Sequence, residues 1–359
     1  MNILSSGNTP LADFGGLLDW PRLQAWIEHS EMPGQGPVTA AQQLTGGSQN
    51  NLFLLTRGTA RFVLRRPPAH LREHSNATIL REARVLKALA DSDVPHPRLL
   101  GACDDPTVLG ACFLLMAPLP GFSPLGELPG RYARDADWRA AMGPEFVRAA
   151  AALARVDHQA VGLADFGKPD HWHSRQVERW RAQLDGYQSL PGYTGAHLQH
   201  IDSTARWLQD NLPTDGRIGI IHGDLQWPNA MFAYDQPRIV GLIDWELSTL
   251  GDPLLDLAWT LSSWREPGDP QVGAADPVVR PWDGFGSRAE MISLYGELTG
   301  RDMHSLPWFF VLACFKLACI LEGSHARSLS GGPGKQMGEF LHDYAVWLMA
   351  KARQLTMSL

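Results

Sequence analysis

The chain reads as an α+β protein of two lobes, a small β-rich amino-terminal part followed by a larger, mainly helical one. Three observations predict this. Its 359 residues are too many for one small core and fit two lobes. Short apolar runs separated by Gly, Asn and Pro turns fill residues 38–116, the pattern of strands. Beyond the break Ala117-Pro118-Leu119-Pro120-Gly121, longer segments of helical periodicity take over. The expected lobes are therefore 1–117 and 118–359, with the proline-rich break as the hinge.

Composition narrows the function classes. Hydrophobic and charged fractions of 44% and 19% are those of an ordinary soluble globular protein. A net charge of −7 argues against nucleic acid or an anionic membrane as partner. Cys103, Cys112, Cys314 and Cys319 form neither a C-x-x-C pair nor a disulfide framework, so buried thiols in a reducing compartment are expected. The first residues lack a basic region followed by an apolar core, so no secretory leader is expected and the cytoplasm is the expected location. The most apolar stretch, 308–321, carries Lys316 near its middle and is too short to span a bilayer; it is expected to be a core helix.

Taken in order, residues 17–29 carry apolar positions Leu18, Leu23, Trp26 and Ile27 at helical spacing. A Pro/Gly linker, 32–37, follows. Residues 41–44 and 52–55 read as strands around Thr45-Gly46-Gly47-Ser48-Gln49-Asn50-Asn51. Such a turn could lay backbone N–H groups over phosphates, and a plain hairpin turn would look the same. The next strand, 61–66, alternates so that Arg66 shares a face with Phe62 and Leu64, and Arg65 one with Val63. Alternation does not choose which arginine is functional, or whether both are surface charges on an edge strand. Residues 75–90 form a helix with the stripe Ile79, Ala83, Leu86 and Ala90, and Glu82 at its margin. A carboxylate there wants a cation, either a distant one or its neighbours Arg81 and Lys87. A buried strand at 110–116 leads to the hinge.

Helices are expected at 145–158, 175–185, 197–211 and 338–359. His171 and His173 are read as loop residues, a weak metal signal without further ligands. Residues 264–282, rich in Pro, Gly and Asp, are long enough for a substrate-side lid.

The chemistry concentrates in residues 217–259. An apolar strand, 218–221, delivers His222-Gly223-Asp224 at its end. A hairpin follows, with strands at 230–233 and 239–243 around the polar turn 234–237. Asn229 and Asp244 lie nearly equidistant from that turn, so pairing brings them side by side, with Asp224 just ahead. An Asn beside an Asp suits a hard cation such as Mg²⁺. A free carboxylate upstream could orient a hydroxyl and accept its proton. Each residue alone would be an ordinary turn residue; together and in order they point to a site.

His222-Gly223-Asp224-Leu225-Gln226-Trp227-Pro228-Asn229 resembles the kinase loop H-R-D-x-x-x-x-N, and Ile243-Asp244-Trp245-Glu246 stands where kinases carry D-F-G. This variant is similar to that of the aminoglycoside phosphotransferase and choline kinase-like family. The resemblance covers nearly the whole chain from Val38 and implies a protein kinase-like fold. It implies transfer of the γ-phosphoryl of ATP, or of GTP, to a hydroxyl of a small molecule. Asp224 is then the base, Asn229 and Asp244 the Mg²⁺ ligands, Arg65 the phosphate clamp at the kinase Lys position and Glu82 its brace. The 45–51 turn resembles the family's G-G-x-S-N loop with Ser and Gln transposed, giving nucleotide contacts at Gly46, Gly47, Ser48 and Asn50. The hinge at Met116 and Pro118 holds the purine edge; Ala117 departs from the family's usual Met-Glu and leaves ATP or GTP open. Residues 94–100 resemble the family's V-P-x-P-R-x-L segment. Gly251-Asp252-Pro253-Leu254-Leu255-Asp256-Leu257-Ala258 matches G-D-P-x-x-D-L-A, whose aspartates cap and brace a helix. Phe166-Gly167-Lys168-Pro169 with Arg175-Gln176-Val177-Glu178-Arg179-Trp180 resembles the subgroup associated with acyl-CoA dehydrogenases, which hints at a hydroxy acid or hydroxyacyl-CoA acceptor. A true aminoglycoside kinase and a non-catalytic nucleotide-binding regulator are the alternatives. The absence of an A-P-E segment argues against protein substrates.

Overall fold

The structure, a computed structural model, describes residues 11–357 apart from 13, 45–49, 196–197, 267–278 and 330–333. Gly46, Gly47 and Ser48, and most of the expected lid, therefore lie outside the described residues. Helix α1 (Trp20–Glu28) leads into strands β1 (Val38–Leu44), β2 (Asn51–Arg57) and β3 (Ala60–Arg66). Helix α2 (Ser75–Ala88) follows, then β4 (Leu99–Cys103) and β5 (Phe113–Met116). These strands form one antiparallel sheet in the order β1-β2-β3-β5-β4. Its core is Phe53, Leu55, Phe62, Leu64, Phe113 and Leu115, closed by Leu23 and Ile27 of α1.

Past Met116 come β6 (Gly121–Phe122), α3 (Gly130–Arg134), α4 (Ala136–Ala154), α5 (Trp172–Gly186) and α6 (Ile201–Asp210). Strands β7 (Gly219–Ile221), β8 (Ala230–Ala233), β9 (Ile239–Leu242) and β10 (Thr249–Gly251) carry the 217–259 region. Helices α7 (Leu254–Ser262), α8 (Arg288–Thr299), α9 (Leu306–Leu329) and α10 (Lys335–Met357) complete the larger lobe. Strand β8 pairs with β6 and β9, and β7 with β10, so two small sheets are set among helices.

Several expectations are corrected. Strand β3 is interior, between β2 and β5, not an edge strand. Arg65 and Arg66 are both buried. Arg66, on the Phe62 and Leu64 face, donates to the carbonyls of Pro67 (3.1 Å), Leu109 (2.9 Å) and Leu17. Strand β4 begins at the end of the 94–100 segment, for which no strand was expected. Helix α4 starts at Ala136, capped by the Asp135 carboxylate accepting from the Asp137 N–H (3.0 Å), and tolerates Pro144 in its interior. His173 is helical, in the first turn of α5, and donates from Nε2 to Asp252 (3.0 Å). Helix α9 runs to Leu329; by length and composition it could cross a membrane, but 72% of its apolar window is buried against the protein. It is the core helix of the larger lobe, in contact with α5, α6, α7 and α10.

Candidate active site

Strand β7 ends at His222, and the loop after it is shaped by a carboxylate far along the chain. Asp256, buried on α7, accepts from the N–H groups of His222 (2.6 Å) and Gly223 (2.9 Å). Gly223 has φ +84°, and a Cβ there would meet the Leu247 carbonyl oxygen at 2.5 Å, so only glycine fits this corner. Asp252 braces the neighbouring turn by accepting from the Arg217 and Leu254 N–H groups and pairing with Arg301. Asp252 thus braces the start of α7 as expected, while Asp256, expected to brace the same helix, instead shapes the loop at His222 and Gly223.

The corner presents Asp224 with its carboxylate held from three sides. Gln226 Nε2 donates to Oδ1 and Oδ2 (2.8 and 2.9 Å), Asn229 Nδ2 to Oδ2 (2.9 Å) and Trp259 Nε1 to Oδ1 (3.1 Å). All three donors are neutral and fix the orientation of the carboxylate. Beneath the loop, Lys316 of α9 donates from Nζ to the Gly223 carbonyl (2.8 Å), with its ammonium 4.2 Å from the Trp259 ring centre. Burial lowers the Lys316 ammonium to about 8, against the pull of Asp224 and Asp256.

The hairpin does what its spacing requires. Ala230 pairs with Leu242, and the Ile243 N–H donates to the Asn229 carbonyl (2.8 Å), which sets Asn229 at the base of Asp244. Asp244 adopts φ +68°, a conformation in which Asp is tolerated and which turns its carboxylate out of the strand line. Arg65 Nη2 meets Asp244 at 2.6 Å and Glu246 at 3.0 Å, while its Nε pairs with Glu82 at 2.9 Å. Asn50 adds a bond from Nδ2 to Glu246 (2.8 Å). Three carboxylates thus share one guanidinium. Burial opposes the Arg65 charge, but Glu82, Asp244 and Glu246 outweigh it and hold its pKa above the usual value. Glu82 chose the distant cation: Arg81 instead donates to the carbonyls of Phe166 and Ser248.

Beside this cluster lies an apolar slot. Leu44, Leu52 and Val63 cover it from the sheet, Met231 and Ile243 floor it, and Met116 to Leu119 form its edge. Met116 and Pro118 both lie on that edge. The Ala117 N–H is taken by the Arg98 carbonyl (2.9 Å) and Pro118 has none. Asn229 spends its Nδ2 on Asp224, which leaves its Oδ1, together with the Asp244 and Glu246 carboxylates. These are hard oxygen donors, a set that fits Mg²⁺.

Residues 40–277 match the phosphotransferase enzyme family. The chain belongs to that family. Over 324 residues this phosphotransferase is 31% identical to "Acyl-CoA dehydrogenase family member 11" of Rattus norvegicus, covering 86% of the chain but 39% of that relative. The chain thus spans well under half the length of that relative. A solved structure from Ralstonia eutropha, assigned provisionally as an aminoglycoside phosphotransferase, superposes with a TM-score of 0.78 at 29% identity over 94% of this chain and 98% of that one. Choline kinase from Cryptosporidium parvum shares the fold at TM-score 0.60 and 13% identity, over 95% and 96% of the two chains. The protein kinase-like, two-lobed architecture follows from these likenesses.

The stretch resembling the dehydrogenase-associated subgroup lines a groove in this phosphotransferase. Lys168, Arg175 and Arg179 stand along it with Phe166, Trp172 and Thr249. The groove continues past Arg179 and Trp180 to Gly223 and Lys316, directly behind Asp224. Burial, with Arg175 nearby, lowers the Arg179 guanidinium. Asp165, a carboxylate of the same wall, is paired with Arg84. Sequence reasoning passed over Gln226, Glu246, Trp259 and Lys316. The signal for Lys316 was there, a charge within an apolar helix that must find a partner.

Proposed function

We propose that this phosphotransferase moves the γ-phosphoryl group of ATP to a hydroxyl of a small anionic molecule, a hydroxy acid or hydroxyacyl-CoA. One observation carries the reading: the Asp224 carboxylate is anchored by Gln226, Asn229 and Trp259 on the loop whose Gly223 corner lines the cationic groove. In the reaction the acceptor hydroxyl gives its proton to Asp224 as its oxygen bonds to the γ-phosphorus. The bond from that phosphorus to the β-phosphate oxygen breaks, and ADP leaves with that oxygen. The adenine ring fits the apolar slot, with the backbone of Ala117 and Leu119 at its edge. Arg65, held by Glu82, Asp244 and Glu246, contributes a buried permanent charge beside the phosphates. Asn229 and Asp244 would hold Mg²⁺, which when bound neutralises charge on the phosphates.

Metal dependence is the direct test of the last assignment. ATP titrated calorimetrically should bind tightly with Mg²⁺ or Mn²⁺ and far more weakly with excess chelator. Equal affinities would remove Asn229 and Asp244 from that role.

The acceptor class rests on the groove and on the likeness to the acyl-CoA dehydrogenase relatives. A polycationic drug would meet Lys168, Arg175, Arg179 and Lys316 at a like-charge penalty, whereas a carboxylate or phosphate would be held. Screening hydroxy acids and their CoA thioesters beside aminoglycosides and choline, with ADP release as readout, should yield turnover with the anionic set. Arg179→Ala should then raise KM for that acceptor by about 10- to 100-fold, the worth of one charged hydrogen bond of roughly 1.5–3 kcal/mol. Turnover of an aminoglycoside alone would overturn the acceptor class while leaving the phosphotransferase reading in place.

A further inference from the structure

Away from the Asp224 loop, α9 and α10 bring together a second set of ligating side chains. Glu322 and His325 lie one turn apart on α9, and His342 faces them from α10. Their ligating atoms all fall within 4.8 Å of one another, with Glu322 buried and both histidines half-buried. We propose that Glu322, His325 and His342 bind a Zn²⁺ ion that fastens α10 to α9.

The partners around the three side chains are those that a metal site needs. Metal-bound histidines donate their other ring N–H to a carbonyl or carboxylate, which fixes tautomer and orientation. His325 Nδ1 lies 3.1 Å from the Gly338 carbonyl. A carbonyl can only accept, so Nδ1 carries the proton and the lone pair is on Nε2. The Tyr193 hydroxyl donates to Glu322 Oε1 (2.8 Å), orienting the carboxylate and leaving Oε2 for other use. Oε2 accepts from His342 Nδ1 at 2.7 Å. A cation entering there replaces that shared proton: His342 moves its proton from Nδ1 to Nε2, and Nδ1 and Oε2 become ligands. Zinc bonds of about 2.0–2.1 Å in tetrahedral geometry require the two atoms to separate only modestly.

The backbone holds this arrangement closely. A Cβ on Gly338 would lie 1.9 Å from Ser328 Oγ and 3.6 Å from the His325 Cα, so α10 approaches α9 as nearly as a glycine allows. That approach supplies the Gly338 carbonyl to His325. Two imidazoles and one carboxylate suit a borderline cation such as Zn²⁺ better than Mg²⁺, and leave a fourth position for water. Asp224 is served by another part of α9, through Lys316, so this site is distinct from the phosphotransfer centre.

The test uses the full, tag-free chain, stripped by chelator, exchanged into chelator-free buffer and kept in excess Mg²⁺ so that hard oxygen sites are occupied. Zn²⁺ is titrated against a chromophoric competitor, and Co²⁺ is added separately to record its visible spectrum. We expect one tight Zn²⁺ equivalent, a higher unfolding midpoint on binding, and the intense visible bands of tetrahedral Co²⁺. His325→Ala and His342→Ala should each abolish that equivalent, and Tyr193→Phe should weaken it about 10- to 100-fold as loss of an outer-shell bond does. Failure of the parent to bind one saturable equivalent, or the same equivalent retained in both histidine variants, would overturn the proposal and leave a hydrogen-bonded brace. Should a variant be unstable even in chelator, the parent's Co²⁺ spectrum decides: octahedral, weakly absorbing Co²⁺ overturns the site.

Discussion

Asp224→Asn is expected to lower turnover by about 10²–10⁴-fold, the usual worth of a general base. Nucleotide affinity should change much less, by no more than about tenfold, a difference of roughly 1.4 kcal/mol. The small residual effect has a structural origin. Among the described residues, the side-chain hydrogen bonds to the Asp224 carboxylate all come from donors: Gln226 Nε2, Asn229 Nδ2 and Trp259 Nε1. An amide at 224 keeps one acceptor and turns its own N–H₂ toward one of those donors. Gln226 can rotate its amide to accept, but if Asn229 does so it withdraws its oxygen from the nucleotide side. Asp244→Asn is the contrasting variant, expected to weaken Mg²⁺-dependent ATP binding and turnover together, because Asp244 meets Arg65 and not Asp224. ATP binding measured beside ADP release separates the two. An Asp224→Asn protein that turns over like the parent would exclude Asp224 as the base.

Arg65→Met carries the largest stability effect. It leaves Glu82, Asp244 and Glu246 facing one another without a cation, and breaking a buried pair in this way costs about 3–5 kcal/mol. The pH dependence follows from Glu82. Burial pushes its carboxyl up even with Arg65 beside it, and Asp244 and Glu246 push the same way. Removing Arg65 takes away the counter-pull, so the folded-state pKa rises further above the unfolded value of about 4.3. An acid whose folded pKa is raised is best tolerated below its unfolded pKa and loses stability as pH rises toward the folded one. Well below the parent's value of about 7, Glu82 is protonated in both folded proteins, so the deficit of Arg65→Met against the parent should be smallest there and grow as pH rises from about 6 to about 9. Denaturant unfolding of both proteins across that range checks it; a deficit independent of pH would mean that Glu82 is not the group left uncompensated. Arg66→Met should also destabilise, because it orphans the carbonyls of Leu17, Leu109 and Pro67, but ATP affinity of the folded protein should survive in it and not in Arg65→Met.

What the sequence made legible follows from how local each constraint is. Asn229 and Asp244 were legible because a hairpin is symmetrical about its turn, and Glu82 because a carboxylate on an apolar stripe must find a cation. Arg65 and Arg66 were separable into opposite faces by alternation alone. Which face looks into the cleft depends on α2 and on the 244–246 turn, and no periodicity within β3 encodes that. Lys316 and Trp259 stayed hidden for the same reason: they reach the Asp224 loop from helices far along the chain. The start of α4 was misplaced because Gly143-Pro144 looks like a break, yet the helix simply passes through it.

The position of α9 bears on how far this enzyme can be shortened or transplanted. Residues 40–277 suffice for recognising the family, but they exclude α8, α9 and α10. Helix α9 supplies Phe309, Leu312 and Phe315 to the core shared with α7, and Lys316 to the underside of the Asp224 loop. A chain trimmed to the recognisable stretch would bare the apolar flank of α7 and leave the Gly223 carbonyl without its donor. The portable unit is therefore wider than the recognisable one, and a graft that carries the 222–246 residues without α9 would bring the reacting groups but not the floor on which they stand.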